Sequence, residues 1–270
     1  MIKNSKEHTQ DTLSHWILKQ NTVTNKEIIS QFKNRVDAKY IYIKYLNPLL
    51  RQGKIDRVRR GLYTAIDPLS GKPVADPIIV ASKLRPEYYL GYYPALRVHG
   101  TTYSYRAQTH VCVKPRHRFR EFSYLGNTYI PVYTQDTWTN IQTVDYRGHP
   151  IRVCGKERLL VECIDNPGRV GGWEQTLKSF ESLGGVDYDE VVRLLELRAN
   201  QTLTRKTGYV LELLQRNSVF HRHLPHETLQ RIEGMVHGQP QYMEKGRSGP
   251  LNERWMLYVS PGFADYLRGI

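Results

Sequence analysis

Local folding signals are dense between residues 24 and 66, and they constrain what this part of the chain can form. Thr24, followed three residues later by Glu27, is a capping box and predicts a helix that begins at Thr24. Apolar spacing predicts an earlier helix over Thr9–Gln20, and Lys33 to Val36 is predicted to be a short turn. Asp37 is a suitable N-cap for a third helix, so the sequence predicts helix-turn-helix geometry.

The third predicted helix has two distinct faces when its residues are placed 100° apart. The face expected to pack inward holds Ala38, Tyr42, Tyr45, Leu46 and Leu49. The opposite face holds Tyr40, Ile43, Lys44, Asn47 and Arg51, with Lys39 on the flank. Gly53 is expected to follow the end of this helix as its C′ residue.

Residues 54–66 predict a short β-hairpin that turns near Arg60-Gly61. Its tip is expected to carry Arg57, Arg59 and Arg60. A hairpin that directly follows the third helix is the wing of a winged helix-turn-helix. We therefore expect residues 1–66 to form such a domain.

The distribution of charge indicates a polyanionic partner. The 270 residues carry a net charge of +13, and residues 1–66 hold 13 Lys and Arg against 5 Asp and Glu. A quarter of the chain thus carries most of the excess. This asymmetry favours a dedicated nucleic-acid-binding module over a uniformly basic surface.

The outward face of the third helix has side chains that suit a DNA major groove. Isoleucine can contact a thymine methyl, asparagine can pair with adenine and lysine can reach guanine, whereas the hairpin arginines would bind phosphates or a minor groove. The alternative is an ordinary amphipathic helix. The expected partner is double-stranded promoter or operator DNA with inverted repeats. The predicted DNA-binding residues are Lys33, Asn34, Arg35, Lys39, Tyr40, Ile43, Lys44, Asn47, Arg57, Arg59 and Arg60.

A segment rich in Pro, Gly and Asp, residues 67–77, is predicted to link this domain to a second one at 78–270. A helix is predicted at 78–84, and the turn of one hairpin at Gly126-Asn127. The predicted strands are 109–114, 119–125, 128–133 and 149–154, with a late strand at 254–260; the predicted helices are 156–165, 172–183, 188–199, 204–215 and 225–236. The expected fold class is α+β, with a mainly antiparallel sheet and a helical C-terminal half.

The second domain has a cationic stretch of its own. Lys114, Arg116, Arg118 and Arg120 are predicted to make accessory contacts to DNA phosphates. The alternative is that these charges lie on an exposed edge strand and prevent it from pairing with another chain.

The motifs of this chain resemble those of AbiEi-type antitoxins, the regulatory half of bacterial abortive-infection (type IV) toxin–antitoxin pairs. The N-terminal resemblance lies in Leu46–Ile55 and Arg57–Tyr63. It continues through Tyr88–Gly100 and Lys156–Pro167, followed by Gly171-Gly172, and so covers roughly residues 10–215. One departure is Glu162, where the family more usually has Asp.

The resemblance implies a repressor that binds operator DNA at its own promoter. It also implies a protein partner, a nucleotidyltransferase-like toxin that this chain would neutralise.

Other classes of function are less well supported by the sequence. A nuclease tethered to the winged helix would require an acid two residues before a lysine, and the nearest match, Asp145-Tyr146-Arg147, lacks the lysine. Asp187-Tyr188-Asp189 is better explained by helix capping than by nucleotidyl transfer. A protein-interaction scaffold is the third alternative. We expect no enzyme activity.

No metal or cofactor site is expected either, because the histidines at 221, 223 and 226 have no cysteine nearby. Cys112, Cys154 and Cys163 are expected to be buried or half-buried thiols in a reducing cytoplasm. No apolar run is long enough to span a membrane, and the N-terminus does not resemble a signal peptide.

Overall fold

The structure, a computed structural model, describes residues 2–33 and 37–267. It is a mixed α and β protein with antiparallel and mixed sheets. The chain forms two compact units. The first comprises Met1–Tyr88 and Glu121–Tyr129, and the second comprises Tyr89–Arg120 and Ile130–Ile270.

These units differ from the domains expected at 1–66 and 78–270. The intervening segment folds back on the first unit, since the amide of Val74 donates to the carbonyl of Ala65 and Ile66 forms a bridge with Pro73. Residues 121–129 also belong to the first unit, although they are distant in sequence.

The first unit packs short helices against a small antiparallel sheet. Its helices are α1 (Ile2–Gln20), α2 (Asn25–Gln31), α3 (Asn47–Arg51) and α4 (Pro77–Ser82), and its sheet strands are β1 (Thr22–Thr24), β2 (Ile55–Arg59) and β3 (Leu62–Ala65). The strand order is β1-β3-β2. Leu13, Ile17, Ile28, Leu46 and Ile55 lie in one buried core, so helices and sheet share the same apolar interior.

Two sequence signals at helix ends are confirmed. The Thr24 hydroxyl accepts from the amide of Glu27 while the Glu27 carboxylate accepts from the amide of Thr24, which makes the capping box. After the C-terminal end of α3, Gly53 has a φ of 64°. The amide of Lys54 donates to Leu49 and that of Gly53 to Leu50, the bonding pattern of a Schellman cap.

The third predicted helix is irregular. A 3₁₀ turn covers Ala38–Tyr40, a π-helical turn covers Tyr42–Leu46, and α3 follows. Pro48 explains the change, because proline has no amide to donate to the carbonyl of Lys44 and its ring clashes with that carbonyl in a regular helix. The amide of Asn47 instead donates to Tyr42, five residues back.

The irregularity shifts the inward face relative to the prediction. Tyr45, Leu46 and Leu49 are buried as expected. Ala38 and Tyr42, expected inside, are exposed, and Ile41 is buried in their place. A uniform step of 100° per residue does not apply across a 3₁₀ turn followed by a π turn.

The hairpin of residues 54–66 is confirmed. β2 and β3 pair from Ile55–Ala65 to Arg59–Leu62 with a bulge at Val58, and Gly61 in the turn has a φ of 79°. A positive φ suits glycine, which has no Cβ to clash. The turn therefore lies where the sequence placed it.

A second hairpin completes the first unit. Strand β6 (Phe122–Tyr124) pairs with residues 127–129 at the start of β7 (Asn127–Tyr133). The turn is Leu125-Gly126, both at positive φ, and not Gly126-Asn127 as predicted. Tyr124 donates from its hydroxyl to Asp56 of β2 over 2.7 Å.

The second unit is built on a sheet with the strand order β7-β5-β4-β9-β8. Its strands are β4 (Tyr88–Leu90), β5 (Gln108–Val113), residues 130–133 of β7, β8 (Ile141–Tyr146) and β9 (His149–Cys154). β8 and β9 are antiparallel, but β4 and β9 are parallel. The sheet is thus mixed.

Helices fill most of the C-terminal half, as predicted. They are α6 (Lys156–Asp165), α7 (Trp173–Glu181), α8 (Tyr188–Arg198), α9 (Gln201–Asn217) and α10 (His226–Gly234), and one helix that was not predicted, α5 (Tyr92–Val98), lies earlier in the chain. The expected late strand is shorter than predicted and lies in a small sheet of β10 (Gln241–Tyr242), β11 (Leu251–Asn252) and β12 (Leu257–Tyr258).

Candidate nucleic-acid interface

Three of the predicted DNA-binding residues form a cationic and aromatic cluster. Nζ of Lys44 lies 4.4 Å from the centre of the Tyr40 ring, and Nζ of Lys39 lies 5.3 Å from it. Tyr40 is 37% exposed and both lysines are exposed. The ring therefore holds two ammonium groups at the surface by cation–π attraction.

The π turn determines which neighbours share this surface. Ile43 is 68% exposed and Tyr42 is 40% exposed, while Asn47 is half-buried. The carbonyl of Lys44, which Pro48 leaves without an amide, accepts from the side chain of Gln10 over 3.1 Å. This bond ties the irregular turn to α1.

The β2–β3 hairpin lies close to the same turn. Tyr63 on β3 is buried, and its burial raises its pKa; nearby Arg57 lowers the pKa and nearby Tyr42 raises it. Arg57 is the cross-strand partner of Tyr63. Tyr63 also lies in the same buried core as Tyr45 and Leu46, so the helical segment and the hairpin pack against a shared interior.

The three hairpin arginines are not equivalent. Arg57 and Arg60 are exposed, whereas Arg59 is half-buried, with its guanidinium carbon 4.8 Å from the centre of the Phe122 ring. Burial and the nearby Arg85 lower the pKa of Arg59. Arg57 and Arg60 are thus the arginines best placed to meet a ligand in solvent.

We expect Arg60→Ala to lower the affinity for every duplex sequence by a similar factor. An exposed arginine on a hairpin suits phosphate contact, so its loss should reduce the slope of log K against log salt by about 1. Fluorescence anisotropy at several salt concentrations measures both quantities. Lys72→Ala, which removes an exposed cation outside the predicted interface, is the matched control and should leave the slope unchanged. A loss confined to one sequence would contradict the phosphate role.

The remaining predicted positions are dispersed. Lys33 is exposed after α2, and Asn34 and Arg35 lie outside the described residues. In the second unit Lys114, Arg116, Arg118 and Arg120 form no strand pair; a 3₁₀ turn, Pro115–His117, follows Lys114, and the three arginines are exposed. Nζ of Lys114 lies 4.2 Å from the centre of the Trp138 ring.

Several side chains considered for catalysis or metal binding have structural roles. Asp187 caps α8. His221 is buried between the hydroxyl of Tyr188 and the carbonyl of Phe180. In residues 2–33 and 37–267, no three His, Cys, Asp or Glu side chains are grouped to hold a metal. The three cysteines are buried and free.

Two features of this surface were missed from sequence. Tyr42 was assigned inward, although Pro48 was a signal that the helix could not stay regular. Phe122 and Tyr124, which contact Arg59 and Asp56, carry no local signal because they are remote in the chain.

The chain is similar in fold to a solved structure, the RV2827C protein from Mycobacterium tuberculosis. The TM-score is 0.67 at 15% sequence identity, over 98% of this chain and 93% of that one. No family model and no curated protein matches. Across the part of the chain that the structure describes, no helix combines the length and apolarity that a membrane span requires.

Proposed function

We propose that the first unit is a winged helix-turn-helix domain that binds double-stranded DNA in a sequence-specific manner, and that the protein is a transcriptional repressor without enzyme activity. The helical segment 38–51 would enter the major groove. The β2–β3 hairpin would be the wing and would contact phosphates or a minor groove.

The observation that carries this proposal is the exposure of Ile43 beside Lys44 and the Tyr40 ring. Ile43 is 68% exposed beside Tyr40 at 37% and Tyr42 at 40%, and an exposed patch of large apolar side chains supports an interaction surface. In a major groove the isoleucine side chain can contact a thymine methyl, with lysine and asparagine beside it for guanine and adenine. The exposed Arg57 and Arg60 nearby supply charge for the backbone.

The test is binding of the full chain to duplex DNA from directly upstream of its own gene, compared with a shuffled duplex of the same length. We expect tighter binding to the upstream duplex and a steep fall in affinity as salt is raised. Equal affinity for both duplexes at all salt concentrations would contradict the repressor function. Metal-dependent cleavage of either duplex would favour the nuclease alternative.

The antitoxin role rests on the resemblance to AbiEi-type antitoxins. It predicts an adjacent gene for a nucleotidyltransferase-like protein that arrests growth when expressed alone. Co-expression of this chain should restore growth. Continued arrest, with both proteins present in the cell, would separate the repressor role from the antitoxin role.

A further inference from the structure

A second cationic cluster lies in the second unit and shares no residue with the predicted DNA-binding set. It is formed by Arg106 in the loop before β5, His110 on β5 and Arg169 in the turn after α6. The Tyr92 ring lies between them, with the Arg169 guanidinium carbon 4.8 Å from its centre and the His110 ring centre 5.6 Å away.

The cluster holds buried polar atoms that nothing in the protein satisfies. Across the described residues, Nε of Arg106, Nδ1 of His110 and Nη1 of Arg169 are buried without a hydrogen-bond partner. His110 is only 4% exposed. Buried polar atoms of folded proteins are nearly always paired with protein, water or a ligand, so three unpaired nitrogen atoms in this cluster need an explanation.

The electrostatics of the cluster favour an anion. Within residues 2–33 and 37–267, no ion pair joins Arg106 or Arg169 to an acid. The nearby Glu162 pairs through Oε1 with Arg158 and Arg198, and its Oε2 is itself buried without a hydrogen-bond partner. Burial lowers the pKa of His110 to about 4, and the charges of Arg169 and Arg106 contribute to the shift. At neutral pH the cluster thus presents two guanidinium groups beside a neutral imidazole.

Two residues beside this cluster have an unusual backbone conformation. Tyr92 has a φ of 55°, a conformation in which a bulky side chain is strained. Gly171 has a φ of 113°, and a Cβ there would come within 2.5 Å of Nη1 of Arg106. The glycine therefore leaves the space that the Arg106 guanidinium occupies. Arg106 makes two other hydrogen bonds. Its backbone amide donates to the hydroxyl of Tyr93, and its guanidinium donates to the side chain of Gln108.

We propose that Arg106, His110 and Arg169 form a binding site for a phosphate group, either free or carried by a nucleotide. Guanidinium groups match the geometry of phosphate oxygens, and the imidazole adds a hydrogen bond. Tyr105, directly before Arg106, is 79% exposed and is available to stack on a base.

The experiment is calorimetric titration of the full chain, without DNA, with inorganic phosphate and separately with ATP at 150 mM NaCl. We expect binding that Arg106→Gln and Arg169→Gln each weaken about tenfold or more, in line with the loss of a charge-assisted hydrogen bond. Arg222→Gln removes an exposed charge of the same unit and should retain wild-type affinity. If Tyr105→Ala weakens the binding of ATP but not of phosphate, the site binds the phosphate group of a nucleotide. If Tyr105→Ala changes neither affinity, the site binds free phosphate.

A measurement on the wild-type chain tests the proposal even if the variants fail to fold. Phosphate should shift the ring nitrogen resonances of His110, assigned with His110→Gln, and leave those of the exposed His223 unchanged. Equal shifts at both histidines, or equal affinity of all the arginine variants, would show only non-specific attraction to a basic protein and would overturn the proposal. No binding of either ligand would do the same.

Discussion

Arg158→Leu is expected to lower the free energy of unfolding of the second unit by about 3–5 kcal/mol. Arg158 lies on α6 and is 1% exposed, and its five N–H groups are all used. Nε donates to Glu162 over 2.7 Å, and the other four donate to the Tyr89 hydroxyl, the Thr139 carbonyl, and the carboxylate and carbonyl of Asp136. Removal of the guanidinium leaves the side chain of Glu162, at 3% exposure, with Arg198 as its remaining charged partner among the described residues.

Urea unfolding followed by tryptophan fluorescence measures this loss, because Trp138, Trp173 and Trp255 all lie in the second unit. Arg193→Leu removes an exposed arginine that pairs with Glu190 one turn away on α8, and it should leave the free energy of unfolding nearly unchanged. The double variant Arg158→Leu, Glu162→Leu should be more stable than Arg158→Leu alone, since it also removes the buried carboxylate of Glu162. Equal effects of Arg158→Leu and Arg193→Leu would show that the buried network contributes little.

Tyr40→Ala is expected to reduce discrimination between the operator and a random duplex, with a loss of about 1–3 kcal/mol on the operator. Under the proposed function, the change removes a side chain that would face the major groove, and it also removes the ring that positions Lys39 and Lys44. Competition binding with the two duplexes measures both affinities. An equal loss on both sequences would contradict a base-reading role for Tyr40.

Two further variants sharpen this result. Tyr40→Phe keeps the ring, so it should retain the affinity if the cation–π contacts dominate and lose it if the hydroxyl contacts a base. Tyr242→Ala removes an exposed tyrosine from the second unit and is the matched control for loss of an aromatic side chain. Wild-type operator affinity for Tyr40→Ala would place this residue outside the interface.

Much of the local structure could be predicted because its causes are local. The capping box at Thr24 and the glycine at position 53 act within a few residues, and both ends of the helical part are as predicted. The same holds for α6, whose bounds at Lys156–Asp165 match the apolar pattern. Such signals are contained in the segments that they shape.

What could not be predicted depends on partners far away in the chain. The burial of Arg158 on α6 depends on acceptors from residues 89, 136 and 139, which no local window contains, in addition to Glu162 one turn away. The cluster around Tyr92 likewise joins Arg106, His110 and Arg169 from three segments. For Tyr42 the error was different, because Pro48 altered the helix type and with it the phase of the pattern.

The 121–129 hairpin also determines when the first unit can finish folding during synthesis. Domains generally fold as units from the N-terminus while the ribosome adds about 5–20 residues per second. Here the bond from Tyr124 to Asp56 and the Phe122 ring beside Arg59 are supplied long after the β2–β3 hairpin has been made. A nascent chain or fragment that ends at Ile66 therefore presents that hairpin without its covering partner, and the first unit reaches its full set of contacts only after Tyr129 has emerged.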